Sequence, residues 1–370
     1  MRLAFILACA VACVPHGPGA VPGDPAVTVR FRPGDALPNL GPEANIDLGL
    51  RAACESLAAA ASTADARLTP AAVRLAAERA GYPGVARFIG FVGDSSLPTA
   101  LLDAIPRDQA VDVGWSWRDF ADGRRWWVLG WAPRRILIDP LPGTAALGAG
   151  VGVRIEGGSA PRLFVASPAG GVREFDMNPG STRWVGGMDQ AGSWRLEIVD
   201  GDRVELLFSV FIGGTFPSLG TLPPPVPADE PVAAASRMYV ALDGLRAHNG
   251  LPPLSVLVDF EPLVREQAAC IATGGEALHR TDLCPGVAAR AAERFFPRGH
   301  FRENVAAATT ATEAWDALLA SPGHVANLLC EDCTHVAIGA APVPGGESRL
   351  FFVWELMSFP EGEPHPLRSR

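Results

Sequence analysis

Thr310-Ala311-Thr312-Glu313-Ala314-Trp315-Asp316-Ala317-Leu318-Leu319-Ala320-Ser321-Pro322-Gly323-His324-Val325-Ala326-Asn327-Leu328-Leu329 is the stretch whose reading decides the fold of the C-terminal third. Thr310 and Glu313 form a capping box, in which each side chain satisfies the other residue's backbone amide, so a helix opens here and carries Trp315. Ser321-Pro322 then restarts the chain as a second helix, with serine at the cap and proline at a first-turn position whose N–H is not needed. That places His324 in a first helical turn. Working outward, Val232 to Ala247 has an apolar helical period that stops at Asn249-Gly250, and Leu251-Pro252-Pro253-Leu254 turns the chain. A further helix, which Asp259 can cap, runs to Gly274-Gly275 just before His279. Val336 to Ala340 and Leu350 to Leu356 read as core strands. Helices alternating with strands predict an α-β-α sandwich for residues 232–360, within an α+β chain.

The bulk composition bounds the rest. At 370 residues the chain exceeds what one core covers, so about two or three domains are expected. With 48% hydrophobic and 19% charged residues it is globular rather than disordered. A formal charge of -9 with no basic stripe excludes nucleic acid as a partner. All 31 basic residues are arginine, which removes every chemistry that needs a lysine amine, from the phosphate loop to the Schiff base. Six of the seven histidines follow residue 240, so histidine chemistry or metal binding belongs to the C-terminal part.

The N-terminus carries Arg2 and the apolar run Leu3 to Ala12, too short to span a bilayer and fitting a signal peptide over residues 1–12. Ala10-Val11-Ala12 suits cleavage, and Cys13 directly after it suits lipid attachment. Free secretion and a membrane anchor through lipidated Cys13 both stay open, and both put the protein outside the cytoplasm. Export permits disulfides. Four cysteines, Cys270, Cys284, Cys330 and Cys333, crowd the C-terminal domain, which favours two local bridges with Cys54 left over. A Cys270–Cys284 pair would close a loop worth about 3 kcal/mol, although four cysteines allow three connectivities. Cys330-x-x-Cys333 lacks the strand-then-helix context of a redox site and reads as structural.

Between leader and C-terminal domain, Leu48 to Ala60 and Pro70 to Ala80 read as helices, the second with Thr69-Pro70 at its start and Gly81 at its stop. Val111 to Trp117 and Trp126 to Trp131 flank Asp122-Gly123 as a hairpin, giving a helix-plus-hairpin region over residues 45–135. Short strands between Gly/Pro turns predict a small β-sandwich over 136–214. In Trp194-Arg195-Leu196-Glu197-Ile198 the apolar residues alternate, a strand buried on one face. Trp126, Trp127, Trp131, Trp184 and Trp194 are core aromatics in preference to a sugar platform. Residues 215–231, with six prolines, read as a semi-rigid linker. The order of elements in 45–132 loosely echoes that of the C-terminal domain.

Leu242 to Leu254, with its Gly250-Leu251-Pro252-Pro253-Leu254 turn, then His279, Arg302-Glu303-Asn304-Val305-Ala306, Trp315 and Ser321 to Leu329 resemble, in that order, the motifs of the CAP superfamily, the cysteine-rich secretory, antigen 5 and pathogenesis-related group 1 proteins. The resemblance covers about a third of the chain. It implies that His279, Glu303 and His324 converge in a cleft, supported by Asn304, Ser321 and Asn327. Two imidazoles and a carboxylate suit an open zinc or other divalent-metal site, or acid/base work. The sequence departs from the family in having Arg302 before the Glu-Asn pair; eukaryotic members have a second cleft glutamate and a histidine in a G-H-Y-T-Q segment, near which this sequence has Phe351-Phe352-Val353-Trp354-Glu355, so a full tetrad is absent. No activated Ser or Cys nucleophile and no H-E-x-x-H helix is visible. A binding module for a lipid, glycan or protein ligand is therefore preferred over a metal-dependent hydrolase using the same cleft, and a structural envelope protein is a third reading.

Overall fold

The computed structural model describes residues 44–93, 102–103, 105–201, 203–274, 279, 283–296, 299–344, 349–360, 362 and 364–366. Residues 1–12, expected to be a signal peptide, and Cys13 lie outside them.

In the N-terminal region α1 (Leu48–Ala60) is capped by Asp47, whose carboxylate accepts from the Leu50 N–H at 2.7 Å. Helix α2 (Pro70–Arg79) starts at the Thr69 cap with proline in its first turn, and the chain leaves it through Gly81 at φ +74°. Both helices cover one face of a sheet of β1 (Ala44–Ile46), β2 (Arg87–Gly93), β3 (Val111–Asp119) and β4 (Arg125–Pro133), in the order β1-β3-β4-β2. The hairpin β3–β4 turns at Asp122-Gly123, with Gly123 at φ +85°.

The next unit is a two-sheet sandwich. Strands β5 (Leu137–Ile138), β7 (Val151–Glu156) and β10 (Thr182–Val185) form one sheet; β6 (Thr144–Ala145), β8 (Pro161–Ala166), β9 (Val172–Asp176), β11 (Gly192–Asp200) and β12 (Arg203–Ile212) form the other, in the order β6-β12-β11-β8-β9. Val151, Val153 and Ile155 meet Leu163, Leu196, Ile198 and Phe208 between them. Trp126, Trp127, Trp131 and Trp194 are buried as expected, whereas Trp184 is 65% exposed and lies against Gly150.

The C-terminal domain runs α3 (Pro231–His248), β13 (Ser255–Val256), α4 (Glu261–Gly274), α5 (Val287–Arg294), β14 (Phe295–Phe296), β15 (His300–Ala308), α6 (Ala311–Ala320), α7 (Pro322–Leu328), β16 (His335–Pro342), β17 (Leu350–Ser358) and β18 (His365–Pro366). Asp259 does not cap α4: it sits inside a 3-10 turn, Val258–Phe260, that runs straight into the helix. The main sheet is ordered β13-β16-β17-β15, and the short β14 and β18 pair separately. Ile338, Phe352, Trp354 and Leu356 meet α3 and α6 on one face; Ala337, Phe351, Val353 and Met357 meet α4 and α5 on the other. This is the expected α-β-α sandwich, its central strands apolar on both faces because both are covered.

The two four-stranded sheets share one topology. In each, a short first strand runs parallel to the third, and the third and second both run antiparallel to the fourth. A glycine on the third strand lets the helix come close: a Cβ on Gly114 would lie 2.4 Å from the Arg51 nitrogen, and one on Gly339 2.7 Å from the Arg265 nitrogen. The register makes Trp131 the counterpart of Trp354, since the residue before the glycine pairs with it in both sheets, Val113 with Trp131 and Ile338 with Trp354.

Residues Leu37–Arg370 form one compact unit. The proline-rich segment is not a free linker. Leu222 is buried in the N-terminal core and donates its N–H to Ala60 O at 3.0 Å, and Pro223 O accepts from Arg67 N at 2.9 Å. Burying leucine side chains outweighs the extended habit of the prolines. Ser209 of β12 donates to Glu78 of α2 at 2.9 Å, and Arg67 pairs with Glu313 of α6.

Candidate functional site

His279 is fixed from three sides. The disulfide Cys270–Cys284 closes the segment that contains it, the other bridge being Cys330–Cys333, while Cys54 stays free and buried with its thiol donating to Gly114 O. Gln267, fully buried on α4, donates to His279 O at 3.1 Å. The His279 Nδ1 lies 3.0 Å from Glu303 Oε1. This contact leaves Nε2 as the nitrogen able to meet a ligand, with Glu303 orienting the ring from behind.

His324 is placed by its helix. Ser321 caps α7, its hydroxyl accepting from His324 N at 3.2 Å. Buried Asn304 donates to His324 O at 3.1 Å, and Asn327 donates to Asn304 Oδ1 at 2.9 Å. At the other end of α7 the fully buried Arg246 donates to Leu328 O and Cys330 O, each at 3.0 Å, and to Pro252 O, a cation at the negative end of the helix. The rings of His279 and His324 stand edge-on with centroids 6.4 Å apart. Burial first, then His279, pushes the His324 imidazole down to about 3, so it is neutral with a free lone pair at ordinary pH. Its Nδ1 is buried with no hydrogen-bond partner.

Two carboxyl groups that the sequence reading left out complete the site. Glu355 pairs across the sheet with Glu303, is 1% exposed, and is hydrogen-bonded to it. Burial, then the neighbouring Glu303 charge, lifts the Glu355 carboxyl well above the usual range, so it is held protonated as a donor to Glu303. Its Oε2 is buried without a partner. Glu197 comes from the sandwich: it accepts from Ser321 Oγ at 2.8 Å and from Gly323 N at 2.5 Å, and burial raises its pKa against those two bonds. An acid at 355 is visible in Trp354-Glu355, a lone charge in an apolar strand; Glu197 sits on the alternating strand face that reads as solvated.

Two imidazoles and a carboxylate are donor types that suit a divalent metal. Neutral His324 has an unsatisfied buried nitrogen, and a carboxylate backs His279. The centroid spacing is about 1 Å wider than two imidazoles would adopt on one tetrahedral zinc with bonds of about 2.0–2.1 Å. Cys330, Asp332 and Cys333 also bring ligand atoms within 4.8 Å of one another, a group suited to a metal only if the bridge between its sulfurs is reduced. Arg302, the departure at the rim, pairs with Asp332 at 3.1 Å. His248 and His300 are exposed, and His335 packs edge-on against Phe359. A groove of about 470 Å3 beside Arg67, Phe88, Gly90 and Arg349 contains none of the site residues.

Residues 240–356 match the family model of the cysteine-rich secretory protein family, CAP. No curated protein matches the chain. Among solved structures, an outer surface protein from Borrelia burgdorferi shares 18% identity at a TM-score of 0.31, over 34% of this chain and 92% of that one. An extracellular protein with an SCP domain from Bacillus anthracis shares 16% at 0.30, over 45% and 57%. A cysteine-rich secretory protein from Staphylococcus aureus shares 10% at 0.30, over 60% and 86%. Among the described residues no helix is long and apolar enough to cross a membrane. The C-terminal part of this chain, residues 240–356, is a CAP domain.

Proposed function

We propose that this protein is exported, through the Leu3 to Ala12 segment, and acts outside the cytoplasm as a binding module whose CAP cleft holds a divalent metal. His279 through Nε2 and His324 would hold the ion, with Glu303 orienting His279 and Glu355 donating to Glu303. The observation that carries this reading is the buried, unpartnered Nδ1 of neutral His324, on a ring whose centroid lies 6.4 Å from that of the carboxylate-backed His279 imidazole. When bound, a metal there supplies a Lewis-acidic point at which an oxygen or nitrogen group of a lipid, glycan or protein ligand can attach. We read the N-terminal region as a counterpart of the CAP core without its chemistry, a reading supported by Ala132, which pairs with Asp112 as Glu355 pairs with Ala337.

The test is elemental analysis of the purified mature protein after dialysis at neutral pH, beside the His279→Ala/His324→Ala variant. Near-stoichiometric zinc that the variant loses supports the reading, and no metal in either protein overturns it. A metal-dependent hydrolase is the second reading, favoured by the Glu303–Glu355 carboxyl pair, which sets one acid and one base side by side. In that case His324→Ala abolishes turnover with the thermal midpoint nearly unchanged.

A further inference from the structure

Resting on that reading, we propose that Glu197 is a positioning residue of the cleft supplied by the β-sandwich, so that the site belongs to the whole chain and not to the CAP domain alone. On β11, Trp194, Leu196 and Ile198 fill the sandwich core. Glu197 points the other way, where an isolated sandwich would leave it in water, and is 2% exposed because α7 packs there. Both carboxylate oxygens are spent on the turn that starts α7, one on the Ser321 hydroxyl and one on the Gly323 N–H. The turn is shaped to this acid: a Cβ on Gly323 would come within 2.9 Å of Glu197 Oε2.

The contact continues inward. Ser321 Oγ donates to Glu197 and accepts from His324 N, so the chain Glu197, Ser321, His324 runs from the sandwich to the backbone of His324 through two hydrogen bonds. With the Ser321 proton committed to Glu197, the hydroxyl keeps its lone pair on the His324 amide. Domain packing alone does not call for a carboxylate here. Desolvating one is costly, and it is matched here by the Ser321 hydroxyl and the Gly323 N–H, which an apolar residue would leave without a partner. What an acid adds is a fixed orientation for the turn that carries His324.

Zinc affinity by chelator competition on the metal-stripped full chain, well below the thermal midpoint, tests this with Glu197→Ala and Glu197→Gln. Removing an outer partner of a ligand weakens binding by about 10- to 100-fold, which is the result expected for Glu197→Ala. In Glu197→Gln the amide oxygen can accept from Gly323 N–H and the amide nitrogen can donate to Ser321 Oγ, so affinity returns to within about threefold of wild type. An Ala variant that binds zinc as tightly as wild type overturns the proposal. Should the wild type bind no zinc, the metal reading of the cleft fails by itself, and the His324 ring resonances then decide the role of Glu197. Resonances shifted in Glu197→Ala and restored in Glu197→Gln support it, and resonances unmoved in Glu197→Ala overturn it.

Discussion

Acid should unfold this protein partly through His324, by an amount the structure fixes. Its folded pKa of about 3 lies below the ordinary 6.5 because burial, then His279, opposes a charge on the ring. A depressed folded pKa contributes stability that is fully present above 6.5 and is lost as pH falls toward 3. At pH 4.5 the unfolded imidazole is about 100-fold more protonated than neutral, while the folded one stays neutral, which amounts to about 2.7 kcal/mol. Solvent reaches part of the His324 side chain and screens some of that penalty, so about 2 kcal/mol is expected. The assay is urea unfolding with a chelator present, at pH 7 and pH 4.5, on wild type and His324→Gln. Glu197, Glu355 and Glu78 have raised pKa values and act in the opposite sense, but they are common to both proteins and cancel in the difference. The reasoning is refuted if both proteins lose the same stability between the two pH values, within about 0.5 kcal/mol.

Replacing Cys270 and Cys284 together by alanine releases the segment around His279; about 3 kcal/mol of stability should disappear from denaturant unfolding, and zinc affinity should fall with it. Glu355→Gln keeps an N–H donor for Glu303 without a carboxyl to ionise. Because the raised Glu355 pKa makes the wild type lose stability as pH rises above 4.5, the variant's stability should exceed the wild type's increasingly toward pH 8, and parallel curves would contradict the assignment. Gly339→Ala drives a Cβ to 2.7 Å from the α4 backbone, which cannot yield like a side chain; a loss of about 1–3 kcal/mol is expected in thermal or urea unfolding.

Local chemistry made the C-terminal domain readable. The Thr310 and Ser321 caps form as hydrogen bonds at 3.3 Å and 3.2 Å, since the partners lie within four residues of each other, while the Glu313 carboxylate accepts from Thr309 N at 3.2 Å where a reciprocal box would use Thr310 N. Asp259 misled because a 3-10 turn replaces a capped start, and local propensity does not separate the two. His279, Glu303 and His324 were legible only through motif order, because 24 residues separate His279 from Glu303 and no local rule joins them. Glu355 was passed over as part of an apolar strand, although an acid there can be afforded only with a partner such as Glu303 directly across the sheet. Trp184 and the proline-rich segment went the other way, one exposed and one packed, because propensity describes a backbone and not what lies beside it.

The repeated sheet separates what folding needs from what the cleft needs. Both sheets keep the close-approach glycine, Gly114 or Gly339, and the tryptophan, Trp131 or Trp354, so these belong to the scaffold. At the position of Glu355 the N-terminal sheet has Ala132, and this half of the molecule contains no histidine among its described residues. Two carboxyls side by side in a sheet destabilise it unless one stays protonated, and an alanine at one of the two positions avoids that cost with the same topology. The scaffold therefore does not require Glu303 and Glu355. Their presence only where His279 and His324 also stand is explained by the chemistry of the cleft.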